Sequence, residues 1–82
     1  MSPIFRELDT VVLTHDVPEA GLRVGDLGAI VSVLAPAAFE VEFVTTSGKT
    51  RAVLTLTSVD IRPVTDDDLL TVRPTSSRHG VA

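Results

Sequence analysis

The stretch that decides the fold runs Phe39-Glu40-Val41-Glu42-Phe43-Val44, then Thr45-Thr46-Ser47-Gly48-Lys49-Thr50, then Arg51-Ala52-Val53-Leu54-Thr55-Leu56. Phe39, Val41 and Phe43 alternate with Glu40 and Glu42, the two-residue period of a strand with one apolar and one wet face. Ala52, Leu54 and Leu56 alternate in the same way with Arg51, Val53 and Thr55. Ser47-Gly48 supplies a turn, because glycine adopts positive φ at little cost. With those two residues central, Phe43 faces Ala52, Val41 faces Leu54 and Phe39 faces Leu56. All three pairs are apolar. Val44 then faces Arg51, Glu42 faces Val53 and Glu40 faces Thr55 on the other side. A slip of one residue exchanges the faces, so the pattern predicts an even-numbered loop.

Working back from the hairpin, Ala29 to Leu34 is apolar on both faces except at Ser32. Such a strand is either buried on both sides or carries a bulge. Gly25-Asp26 is a turn pair ahead of it, and Gly28 marks a bend or a close backbone approach. Thr10 to His15 is another strand, and Asp16 to Gly21 a loop punctuated by Pro18 and Gly21. Leu22 folds back on the core. Ile4 and Leu8 fit one helical turn or an extended lead-in. Beyond the hairpin, Thr57 to Asp60 is a single turn and Ile61 to Val64 a last short strand.

The expected fold is therefore all-β. Five short strands with a turn before the last are the arrangement of a small five-stranded SH3-like barrel, which hides its sheet edges by closure. This domain covers residues 1–64. Residues 65–82 form a C-terminal appendage: Thr65 caps a helical turn begun by Asp66, Asp67 and Asp68. Leu69, Leu70 and Val72 either dock on the barrel or are offered to another chain. Disorder is expected from Pro74 onward.

Eighty-two residues make one domain with a small interior. No cysteine is present, so disulfides and thiolate metal sites are excluded and a reducing, cytoplasmic setting is suited. No apolar run reaches the length of a signal peptide or a membrane span. The net charge is −4, with eight acids and five bases in residues 1–64. That balance disfavours phosphate-backbone binding.

No catalytic set is apparent. Glu40 and Glu42 share a face, yet paired carboxylates on an outer sheet face are ordinarily solubilising. Three consecutive aspartates point in different directions and make a poor cation cage. Asp9, Asp16, Glu19 and Asp26 flank turns, where aspartate caps backbone amides. His15 has no second histidine or cysteine at ligand spacing, and His79 lies in the tail. Catalytic, cofactor-binding and metal residues are all read as none. Tyr and Trp are absent, which removes the aromatic groove, methyl-lysine cage and base-stacking modes of recognition. The remaining binding surfaces are a strand edge, the face bearing Glu40, Glu42 and Arg51, and the segment with Leu69, Leu70 and Val72.

Six motifs, Phe5-x-x-Leu-Asp9, Val12-x-Leu-Thr14, Pro18-Glu-x-Gly-Leu22, Gly25-Asp-x-Gly28, Val41-Glu-Phe43 and Leu54-Thr-Leu56, resemble in order and spacing the bacterial family called domain of unknown function 4926. The resemblance covers residues 4–64. It implies an SH3-like fold and no catalytic motif, and members look like companions of other small proteins, including immunity or antitoxin arrangements. Gly25-Asp-x-Gly28 before a valine-rich strand also looks like the opening of nitrile hydratase β-subunit and ribosomal KOW-type barrels. The expected role is a non-enzymatic protein-binding module with a protein partner, a second copy of the chain included. The alternatives are an enzyme-subunit-like domain and a nucleic-acid-associated barrel, whose basic face would use Arg23, Lys49, Arg51 and Arg62.

Overall fold

The computed structural model describes residues 4–75, so the expectations for Met1–Pro3 and for the end of the tail, with His79, lie outside the described residues. Five strands, β1 (Thr10–Leu13), β2 (Leu27–Leu34), β3 (Ala38–Val44), β4 (Thr50–Thr57) and β5 (Ile61–Pro63), form one antiparallel sheet. A 3-10 turn, Pro18–Ala20, lies in the β1–β2 loop. The spatial order is β4-β3-β2-β1-β5. No helix among the described residues is long and apolar enough to cross a membrane.

The hairpin pairs as its alternation requires: Phe39 with Leu56, Val41 with Leu54 and Phe43 with Ala52. The route to that register differs from expectation. Thr45 receives Gly48 N–H on its carbonyl and gives its own N–H to Lys49. The loop is thus Thr46-Ser47-Gly48, an odd number, with Gly48 at φ +88°. The ladder shifts between Phe43 and Val44, and Val44 pairs with Thr50 rather than Arg51. Arg51 is the extra residue of a bulge, and it restores the parity that the odd loop takes away.

The core is the inner face of the sheet. Val11, Leu13, Leu22, Ile30, Phe39, Val41, Phe43, Leu56 and Ile61 form one buried cluster drawn from every strand. Of the lead-in only Phe5 packs there, edge-on to Phe39 with centroids 5.5 Å apart, whereas Ile4 and Leu8 are exposed. The lead-in is neither a helical turn nor fully extended: Arg6 to Asp9 close a turn with Leu8 at φ +74°, and the segment is tied to β2 by Leu8 N–H to Ile30 O and Ile30 N–H to Asp9 O. The doubly apolar strand β2 carries a bulge between Ile30 and Ser32.

The edge strands β4 and β5 are consecutive in sequence yet lie at opposite ends of the sheet. A flat sheet of five strands would hold its edges about 19 Å apart. Thr57 and Asp60 close a tight turn, Asp60 N–H to Thr57 O at 3.0 Å, so the sheet curls until its edges meet at this corner. Among the described residues no ladder joins β4 to β5.

Gly28 shows how tightly the curl is packed. A Cβ added there would lie 2.6 Å from Val41 Cγ1 and 2.8 Å from Phe43 Cε1. Gly28→Ala should therefore cost about 1–3 kcal/mol of stability through overpacking. Urea unfolding tests this, and an unchanged midpoint would contradict the packing described. Phe43→Asp, which buries an unpaired charge where the wild-type ring is 3% exposed, should abolish cooperative unfolding altogether.

Candidate functional site

Four turns of the chain share one chemistry. In each, an aspartate carboxylate accepts the backbone N–H three residues earlier, and the aspartate N–H returns to that residue's carbonyl. The pairs are Arg6 with Asp9, Arg23 with Asp26, Thr57 with Asp60 and Thr65 with Asp68. Asp9, Asp26 and Asp60 each stand directly before a strand. Asp16 acts similarly over a longer reach, accepting Val24 N–H at 2.8 Å.

Thr65 consequently does not cap a helix. No helix forms at 66–68. Asp68 reaches back and takes both the N–H and the hydroxyl of Thr65. Asp66 and Asp67 are left exposed, and the three carboxylates do not converge.

Two of the four turn aspartates also bind an arginine, and a third binds a histidine. Asp26 takes Arg73 in a fork, Nε to Oδ1 at 2.9 Å and Nη2 to Oδ2 at 2.5 Å, and the same guanidinium donates to Gly21 O. Asp68 takes Arg62 likewise, at 2.9 and 2.8 Å. Asp60 accepts from His15 Nε2 at 2.7 Å. Bidentate Arg–carboxylate pairs fix orientation as well as distance. The tail is therefore docked, but through its charges: it is held at Asp68 and again at Arg73.

Between those two anchors stand Leu69, Leu70 and Val72, 87%, 81% and 86% exposed. Together with Val12, Leu27, Val44 and Val64 they line an open groove of about 880 Å³. Val12 points away from the main core yet is buried, and its ladder neighbours are Leu27 and Arg62. Arg23, Arg51, Arg62 and Arg73 also line the groove. Sequence reading singled out the three apolar tail residues; it missed Arg73, whose partner is 47 residues away.

The second expected surface is divided. Glu40 and Glu42 share the outer face, opposite Thr55 and Val53 on one side and Ser32 and Ala29 on the other. Glu42 accepts the Thr50 hydroxyl at 2.5 Å. Arg51 leaves them: its guanidinium lies against Gly21, where any Cβ would collide with it. No ion pair joins Arg51 to Glu40 or Glu42 among the described residues. Of the four basic residues proposed for a nucleic-acid face, Arg62 is engaged by Asp68.

The paired groups titrate away from their ordinary values. The Arg62 guanidinium and the Thr65 N–H hold the Asp68 carboxyl far below the carboxylate range. Burial works to raise Asp26, but Arg73 and the Arg23 N–H outweigh it and the net direction is down. The Thr57 N–H lowers Asp60, with His15 adding to it. His15 is raised by Asp60 and by the Asp16 carbonyl. Both histidine contacts are acceptors, Asp60 Oδ1 and Asp16 O, so the geometry suits an imidazolium that donates from both nitrogens.

The family model for domain of unknown function 4926 matches residues 7–63. No curated protein and no solved structure matches the chain.

The histidine contact has a definite sign. Because its folded pKa is raised, His15 stabilises fully below its ordinary value of 6.5, and the contribution disappears as pH rises through the higher folded value. Urea midpoints from pH 5 to 9 should show the advantage of wild type over His15→Gln shrinking with rising pH. A pH-independent difference would contradict the assignment. The three aspartates act oppositely, and their contribution fades only as pH falls through their depressed values.

Proposed function

The chain belongs to the domain of unknown function 4926 family, and we propose that it serves as a non-enzymatic protein-binding module, an accessory or immunity/antitoxin-type partner of another protein. The observation that carries this reading is the tail segment. Three large apolar side chains are more than four-fifths exposed on a backbone held at both ends by Arg–Asp forks.

An exposed apolar cluster on a loose tail would have little directional meaning. Fixed beside a groove of mixed apolar and charged lining, the same cluster is a preorganised contact surface, since ordering it does not have to be offset by the partner. Aliphatic residues in the middle and arginines around them match the usual anatomy of a protein interface. The net charge of −4 favours long-range encounter with a basic partner, whereas the arginines around the groove suit acidic groups at the contact itself.

The combined variant Leu69→Ser, Leu70→Ser, Val72→Ser should keep the wild-type unfolding midpoint to within about 0.5 kcal/mol, because it changes exposed side chains only. Used as bait in native lysate of the source cells, wild type should retain a stoichiometric protein that the variant loses. Equal retention by both, or no stoichiometric protein with wild type, would overturn the proposal.

A further inference from the structure

The two edges of the sheet are guarded very differently. Strand β5 is three residues long, ends in Pro63, and carries Arg62, which is bound to the tail. Those are the usual protections against pairing with another chain. Strand β4 has none of them. It is eight residues, Thr50-Arg51-Ala52-Val53-Leu54-Thr55-Leu56-Thr57, and its only partner among the described residues is β3. It contains no proline, no lysine and no acid. Its single charge, Arg51, is turned toward Gly21 at the bulge.

We propose that β4 pairs antiparallel with β4 of a second copy of this chain, with the two-fold axis at Val53. The strand is self-complementary in that register. Val53, half exposed on the outer face, faces Val53 of the second copy. Ala52, partly buried at the rim of the core, faces Leu54 of the second copy, and the same contact repeats across the axis. No pair of like charges is created. A single-copy partner strand of different sequence would need its own matching pattern; a two-fold supplies the match automatically. Backbone hydrogen bonds and these apolar pairs together join two five-stranded sheets into one. The contact shares only Arg51 with the groove beside the tail and does not depend on Leu69, Leu70 or Val72.

Sedimentation equilibrium on the full chain provides the test. Wild type should approach twice the 8.7 kDa chain mass at concentrations of hundreds of micromolar. Val53→Glu sets two carboxylates against each other on the axis and should weaken self-association at least tenfold, whereas Val53→Thr should leave it within about threefold. Circular dichroism melting shows whether each variant is folded. Thr55→Lys, also exposed and on the same face, provides a second disruption if Val53→Glu does not fold. In a dimer mixed from labelled and unlabelled chains, Ala52 methyl protons should show contacts to Leu54 of the other copy. A wild type that stays monomeric, or a folded Val53→Glu or Thr55→Lys that associates as tightly as wild type, would overturn the proposal.

Discussion

The Asp26 carboxylate accepts the backbone N–H of Arg23 and, from 47 residues further along the chain, the guanidinium of Arg73. One side chain thereby closes the turn that starts β2 and fastens the tail. The same double use recurs at Asp60, which closes the corner where the sheet edges meet and binds His15, and at Asp68, which closes its own turn and binds Arg62. A chain of this size has little core to spare for joining its parts. Here the apolar cluster holds the sheet, and aspartates that are already fixed by their own turns hold the connections. Since the carboxylate is oriented before the cation arrives, less freedom is lost when the contact forms.

The hairpin register was legible because the inner positions of both strands are all apolar, although Val53 stands on the outer face opposite Glu42. What the alternation does not contain is how the register is reached. A two-residue loop, and a three-residue loop followed by one bulged residue, place Phe43 opposite Ala52 equally well. The apolar pattern is identical in both, so only the backbone distinguishes them. The difference matters at Arg51. A regular ladder leaves it beside the glutamates, whereas the bulge re-aims it toward Gly21. The order of elements along the chain and the return of Leu22 to the core also followed from local composition; at β2 and Gly28 composition left two alternatives each, and the structure selects the bulge and the close approach.

The tail was legible only in part, and for a physical reason. Three apolar residues are too few to make a core of their own, which left docking on the barrel and exposure both open, and the structure shows exposure. Their position does not follow from composition. It is set by Arg73 with Asp26 and by Arg62 with Asp68, and no periodicity connects Arg73 with a partner so far away. The aspartate turns were readable as caps at Asp9, Asp16 and Asp26, while at 65–68 the roles were inverted, with the aspartate closing the turn and the threonine donating to it.

The functional reading therefore rests on whether residues 68–73 are held as firmly as the sheet. Backbone ¹⁵N relaxation on the full chain measures this directly. The two anchors predict order parameters of about 0.8 or above for Leu69, Leu70 and Val72, close to those of β3 and β4, with a fall when Asp26 is changed to Ala. Values below about 0.6 in the wild-type chain would contradict the account, because a freely moving segment presents no fixed surface.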